Sequence, residues 1–393
     1  MSLFPRGDTA ISGLWVEPHP FAVPTNAKDA APGKPGIGSS EPLGYAVQDS
    51  DRDPALVAVF GLGNMANPQL LAPLIIEDPN SMIEDAHARA SKESGAARPD
   101  QEASPESAGL SLDMEGIAPS SEGVKLEPTT SAPPFYGRGF WVVCEGKGRL
   151  VDGESPKRKG KFKQPNLLVQ LEANKERGSL EVARVVELPD EVRRHQEPQG
   201  FEGVALGSEG HVYVAFQRGW GRAGDPQGHT RVGRFDPGTG TWTFAHYRLD
   251  AYPPSGVPPS GKETAHGPAR GREDDTAPED AWVGISELSR LPDSKLLVLE
   301  RDNQHGEFAK IQRLYAIDVD EASFRPSAPF PVLSKTMVFD LIDEGVVDPR
   351  YGEPIRKPEG VGILGPGRLL LLADDDGKRG SKKGTPFFVL HLR

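Results

Sequence analysis

Residues 357–376, KPEGVGILGPGRLLLLADDD, contain an acidic residue, an apolar run, a Gly-Pro-Gly turn and a second apolar run that ends in three aspartates. Two other stretches have the same order, GFEGVALGSEGHVYVAFQR at 200–218 and VGISELSRLPDSKLLVLERD at 283–302. The register is fixed, because 15 positions separate Glu202 from Gln217, Glu287 from Asp302 and Glu359 from Asp374. A hairpin that recurs in this way indicates a fold built from repeated antiparallel units.

Two looser copies precede these three. DMEGIA at 113–118 pairs with GFWVVCEGK at 139–147, and ISGLWV at 11–16 pairs with GYAVQDSDRD at 44–53. Two further β-rich runs follow most copies, and amphipathic helices are scarce. Four antiparallel strands per unit, repeated, predict an all-β fold, the β-propeller. We count five blades, and a sixth is left open because the insertions are long enough to hide one.

The insertions are three stretches rich in Ser, Ala, Pro and Glu without periodicity, at 84–110, 119–138 and 251–280. The strand pattern continues on both sides of each stretch. We therefore interpret them as loop insertions within one domain that spans residues 1–393, and not as linkers between domains.

Composition narrows the function classes. The net charge of −12 argues against a nucleic-acid partner and is compatible with bound cations. A single cysteine, Cys144, excludes an internal disulfide and a cysteine-based zinc site. No apolar run approaches the roughly 18 residues of a membrane span. The first residues lack the basic and apolar regions of a secretory signal, which fits an intracellular protein or one trimmed beforehand.

The acids of the repeats are predicted to meet. The start of a blade's first strand and the end of its second lie at the same end of the sheet, because the two strands are antiparallel. This places a ring of carboxylates at one mouth of the central channel. The predicted ring consists of Asp49, Asp51, Glu115, Glu145, Glu202, Glu287, Glu300, Asp302, Glu359, Asp374 and Asp376.

Crowded carboxylates require compensation, because two like charges about 4 Å apart repel by roughly 4 kcal/mol at an effective dielectric near 20. Hard divalent cations with oxygen ligands, Ca²⁺ above all, are the natural partners. The ring, except for Asp51, is therefore our predicted set of metal ligands. For any single acid, a turn or a backbone cap remains an alternative explanation.

Two arginines interrupt the ring. Arg218 follows Gln217, and Arg301 stands between Glu300 and Asp302. A guanidinium beside bound cations suits an anionic ester substrate, although pairing with neighbouring acids would explain both arginines equally well. Among the histidines, His305 follows an acidic motif and is a candidate general acid, with a solvated loop position as the simpler alternative.

These motifs resemble the phytase-like family, described as esterase-like activity of phytase. The resemblance rests on ISGL (11–14), MEGIA (114–118), GFWVVCE (139–145), GFEGVAL (200–206), ISEL (285–288), LLVLERD (296–302) and the final stretch 358–376. It extends from about residue 11 to the end of the chain. Cys144 and Ala373 depart from the family pattern, in which an Asp and an Asn stand at these positions.

The resemblance implies a calcium-assisted hydrolase of phosphate esters, as well as a secreted or periplasmic location. We expect Glu202 or Glu359 to accept a proton from water and Arg301 or Arg218 to steady the departing anion. One alternative is a non-catalytic propeller that is stabilised by calcium and binds a glycan, a peptide or a protein. A calcium-dependent lactone hydrolase or esterase is a third. The oligomeric state is left open.

Overall fold

The structure of the protein is a computed structural model. It describes residues 10–16, 43–50, 55–62, 69–93, 112–121, 139–148, 164–174, 176–253, 281–374 and 386–392. Within these ranges the chain is mostly β, as the sequence predicts. Each of the β-rich runs recognised in the sequence forms a strand. Two α-helices, α1 (Met82–Glu93) and α2 (Asp190–Arg193), accompany them.

The strands form five successive units along the chain. The first four units have four strands each, and three are described in the fifth; a separate short hairpin precedes the fifth unit. The strands are β1 (Ala10–Val16), β2 (Leu43–Ser50), β3 (Leu56–Gly61) and β4 (Gln69–Glu77); β5 (Leu112–Pro119), β6 (Gly139–Cys144), β7 (Leu167–Asn174) and β8 (Ser179–Glu187); β9 (Phe201–Leu206), β10 (Val212–Phe216), β11 (His229–Asp236) and β12 (Thr241–Arg248); β13 (Val283–Arg290), β14 (Leu296–Asp302), β15 (Gln312–Ile317) and β16 (Lys335–Asp340); the hairpin β17 (Val347–Asp348) and β18 (Glu353–Pro354); and β19 (Pro358–Gly365), β20 (Arg368–Ala373) and β21 (Phe387–His391).

Within each unit, consecutive strands pair antiparallel, so that the unit is a meander. The sheets of the first two units join into one sheet of eight strands, because β4 pairs with β8 in parallel and β2 also pairs with β5. That sheet nearly closes on itself.

The first strands of the units are neighbours in space. Strand β1 lies against β5 and β19, β5 lies against β9, β9 against β13, and β13 against β19. The five first strands, which we call the inner strands, therefore surround a common channel.

Hydrophobic clusters fill the spaces between neighbouring units. One cluster joins the first and second units, and it includes Tyr45, Phe140 and Val169. Four others lie between the second and third, third and fourth, fourth and fifth, and fifth and first units. Each sheet thus buries both faces, which explains why the strands are continuous apolar runs with little alternation.

Helix α1 corrects one prediction. The sequence predicts a loop insertion over 84–110, but residues 84–93 form most of this helix. Both carboxylate oxygens of Asp78 accept hydrogen bonds from the first turn, from the amides of Met82 (3.0 Å) and Ile83 (2.8 Å). Ile83, Ala86 and Ala90 are buried, and their spacing places them on one face of the helix.

The remaining parts of the predicted insertions, 94–110, 122–138 and 254–280, lie outside the described residues. In the part of the chain that the structure describes, no helix has the length and apolar character needed to cross a membrane.

Candidate functional site at the starts of the inner strands

A β-bulge interrupts the pairing of the first and second strands at the corresponding place in all five units. On the first strands, the register shifts lie between Ser12 and Leu14, Met114 and Gly116, Phe201 and Val204, Ile285 and Glu287, and Pro358 and Gly360. A bulge adds a residue to one strand and redirects its side chain. Because it recurs, it provides a structural register for comparing the units.

This register aligns two positions per unit. The bulge position holds Gly13, Glu115, Glu202, Ser286 and Glu359. The other position is on or just after the second strand, one residue beyond the partner of the residue before the bulge, and it holds Gln48, Glu145, Gln217, Arg301 and Asp374. The fourth unit differs from the register assumed in the sequence, because Ser286 occupies the bulge position. Glu287 is aligned with Gly116, Gly203 and Gly360, one position further along the strand.

The second unit contains a cluster of three carboxylates. Asp113, Glu115 and Glu145 each present an oxygen, and these oxygens all lie within 4.8 Å of one another. Glu115 and Glu145 were predicted as metal ligands, whereas Asp113 was missed. The spacing of Asp113 and Glu115, two residues apart on one strand, was the available signal.

The cluster is held by neighbours from both sides. Lys147 places its Nζ 2.9 Å from Oδ2 of Asp113. The amide of Gly200, at the start of the third unit, donates to Oε1 of Glu145 at 2.9 Å. Lys147 and the Gly200 amide thus compensate part of the negative charge of the three acids.

The pKa of Glu145 is raised to about 7. Burial is the largest cause, and the nearby carboxylate of Asp113 adds to it, while the Gly200 amide and Lys147 act in the opposite direction. Burial and Asp113 also raise the pKa of the adjacent Cys144 thiol, which keeps it protonated at neutral pH.

The aligned positions of the other units hold mixed polar groups. Gln217 donates to Glu202 within the third unit. Arg301 of the fourth unit donates to Oε1 of Glu359 in the fifth, at 2.6 Å. Lys357 lies 3.3 Å from Asp374. The aligned positions thus combine carboxylates with an arginine that contacts a carboxylate oxygen.

Three other predicted ligands, Glu287, Asp302 and Glu300, accept hydrogen bonds from protein donors through their carboxylate oxygens. Glu287 is fully buried in the channel and accepts hydrogen bonds from the amides of Leu14 and Leu288, each at 2.9 Å. The oxygens of Asp302 accept from backbone amides of the loop that follows β14, at 2.6 to 2.9 Å.

Glu300 lies between the third and fourth units. It accepts hydrogen bonds from the Tyr247 hydroxyl (2.6 Å), the Asp250 amide (2.7 Å) and Lys335 (2.8 Å). Burial raises the pKa of Glu300, and Lys335 opposes this shift. The partners of this carboxylate are therefore residues outside the aligned positions.

The guanidinium of Arg218 lies 4.9 Å from the centre of the Trp282 ring. His305 precedes a 3-10 helix, Gly306–Phe308, after β14. Asp49 is near the end of β2, opposite Asp113 in the strand register. The predicted positions Asp51 and Asp376 are outside the described residues.

The family model for "Phytase-like: Esterase-like activity of phytase" matches residues 50–377. The chain belongs to this phytase-like family. The match includes the acids of the second to fifth units. Among curated proteins, none matches the chain.

Two solved structures illustrate a distant likeness to this phytase-like chain. The PQQ-bound aldose sugar dehydrogenase from Streptomyces coelicolor is 13% identical, with 88% of this chain and 90% of that chain covered and a TM-score of 0.34. The mannose phosphorylase MPT-4 from Leishmania mexicana, in complex with phosphate ion, is 9% identical, with 98% and 84% covered and a TM-score of 0.35. At these scores the likenesses carry no inference about function.

Proposed function

We propose that this phytase-like protein is a calcium-assisted hydrolase of phosphate esters, with its active site at the starts of the inner strands. We also propose that residues 1–393 form one domain, a β-propeller whose five blades are the five units. The ring of contacts among the inner strands supports the blade number. The cluster of Asp113, Glu115 and Glu145 is the observation that carries the functional proposal.

The cluster fits a hard divalent cation. Calcium binds oxygens at about 2.4 Å, so two ligands of one ion are at most about 4.8 Å apart. The three carboxylate oxygens satisfy this limit. The neighbouring Cys144 keeps its proton because burial raises its pKa, so the donors offered are oxygens and not a thiolate. When bound, Ca²⁺ would neutralise the acids, polarise a phosphoryl oxygen and acidify water.

The residues around the cluster have distinct roles in this proposal. Glu202, oriented by the hydrogen bond from Gln217, accepts a proton from the attacking water. Arg301 turns part of its guanidinium from Glu359 to the oxygens of the substrate and steadies the negative charge that develops there. Glu359 then holds Arg301 in position, and Arg218 at the rim attracts the anionic ester.

The test is turnover by protein stripped of metal and then supplied with Ca²⁺ or with a chelator. The substrates are p-nitrophenyl phosphate, bis-p-nitrophenyl phosphate, phytate and p-nitrophenyl acetate. We expect turnover of at least one phosphate ester that requires Ca²⁺. Failure to turn over any of them under any metal condition would overturn the proposal of an enzyme.

Variants of Arg301 test whether its side chain contributes to turnover of the substrate. Arg301→Gln should lower kcat/KM for phosphate esters by about tenfold or more, because a charge-assisted hydrogen bond to the substrate is lost. Arg301→Lys should restore part of it. The matched control is Lys295→Gln, at an exposed position in the turn before β14. Equal activity in all three variants would remove Arg301 from the mechanism.

Hydrolysis of carboxylic esters is the second candidate, and the family description, which names an esterase-like activity, favours it. In that case p-nitrophenyl acetate or a lactone would be turned over and the phosphate esters would not. A protein that binds Ca²⁺ but turns over no ester would instead correspond to the non-catalytic alternative.

A further inference from the structure

A cavity lies at the ends of the inner strands opposite to the candidate active site. Its volume is about 400 Å³. All five inner strands contribute to its walls, through Leu14, Ile117, Val204, Leu288 and Ile363 among others. The candidate active site is at the starts of these strands, and the buried Glu287 lies between the two ends. The cavity is therefore a separate site.

The walls of the cavity are mainly apolar and include a few polar groups. Trp15 and aliphatic side chains form most of the surface. Among the described residues of the lining, Arg290 is the charged one, and burial lowers its pKa. The Oγ of Ser121, also in the lining, is buried without a hydrogen-bond partner in the described part of the chain.

We propose that this cavity binds a small amphipathic anion. The apolar body would lie between the inner strands, and a carboxylate or sulfonate would be bound by Arg290, with the Ser121 hydroxyl as a second donor. Ligand pockets have volumes of about 300–1,000 Å³ and combine apolar walls with a few polar groups, and this cavity is at the small end of that range. The apolar walls disfavour a polyphosphorylated ligand, whose charges would be left without partners.

The test uses 1-anilinonaphthalene-8-sulfonate as the probe and octanoate as the competitor, with the full chain. We expect saturable binding of one probe per chain, displacement by octanoate and quenching of tryptophan emission. Because Trp15 lines the cavity, Trp15→Phe should remove much of the quenching while the Kd stays within about twofold. A chelator should have no effect, which distinguishes this site from the proposed calcium site.

Two pairs of variants test separately the binding of the ligand's anionic group and of its apolar body. Arg290→Gln should weaken probe binding by about tenfold, because a charge-assisted hydrogen bond is lost, whereas Arg290→Lys should retain most of the affinity. Ile363→Trp should block the cavity, and Ile363→Leu should not. Circular dichroism and thermal melting establish that each variant is folded.

Absence of saturable binding to the folded protein would overturn the proposal. So would binding that is unchanged in Arg290→Gln, or binding that a chelator abolishes. If Ile363→Trp does not fold, the Arg290 pair and the octanoate competition still decide between these outcomes.

Discussion

Replacement of Glu287 by alanine should destabilise the protein more than replacement of most surface acids. Glu287 stands where three other units have glycine, and its carboxyl group accepts hydrogen bonds from amides of three inner strands. The donors are the amides of Leu14 and Leu288, at 2.9 Å each, and that of Val204. Alanine would leave these three donors buried without their acceptor.

The magnitude follows from the number of donors. A buried donor without a partner costs about 1–3 kcal/mol. Part of the sum is offset, because the variant no longer has the desolvation cost of a buried carboxyl group. We expect Glu287→Ala to lower the free energy of unfolding by about 3–5 kcal/mol. With an unfolding entropy of about 2.1 cal/mol/K per residue, this corresponds to a decrease of about 4–6 °C in Tm.

Burial raises the pKa of Glu287 well above its usual value, although the amides act in the opposite direction. A raised carboxyl pKa means that the folded state binds the proton more tightly than the unfolded state. The associated stability is present below the unfolded pKa and is lost as the pH rises through the folded pKa. Glu287→Gln, which cannot ionise, should therefore lose less stability relative to the wild type at pH 8 than at pH 5.

The assay is urea and thermal unfolding of the wild type and both variants at the two pH values. Glu209→Ala is the matched control, because the side chain of Glu209 is 76% exposed. A loss below about 1 kcal/mol for Glu287→Ala, or a loss equal to that of the control, would refute this reasoning.

Two other predictions concern stability. A Cβ on Gly203 would lie 2.3 Å from the backbone nitrogen of Leu288, so Gly203→Ala should cost about 3 kcal/mol or more in a thermal melt, whereas Gly221→Ala, with open space around its Cβ, should be neutral. Equal melting temperatures would contradict the close approach of the inner strands. Lys335→Met should cost about 3 kcal/mol, and more at pH 8 than at pH 5, because Glu300 would lose its buried cation and its raised pKa would rise further. A pH-independent loss in urea unfolding would show that Glu300 does not depend on that charge.

Much of the fold could be predicted from the sequence, because each unit repeats the same order of strand, turn and strand. The strands are buried on both faces, so their apolar runs are continuous and easily recognised. Helix α1 was missed because its surroundings are rich in Ser, Ala and Glu. Its N-terminal cap, Asp78, lies four residues before the helix begins.

The site was only partly predictable. The repeated acids indicated Glu115 and Glu145 as members of the site. The sequence alignment did not include the bulges, so it placed Glu287 at the bulge position, which Ser286 occupies in the structure. One position on a strand changes the face on which a side chain lies. The partners of Glu300 and Asp302 also could not be predicted, since Lys335 and the loop after β14 approach them only in the folded chain.

The central claim is that the carboxylates of Asp113, Glu115 and Glu145 bind Ca²⁺, and calorimetric titration of the metal-stripped protein with Ca²⁺ tests it most directly. We expect saturable binding that Glu145→Gln weakens at least tenfold and that the exposed control Asp293→Asn leaves unchanged. No Ca²⁺ binding by the folded protein, or equal affinity in Glu145→Gln, would contradict the claim.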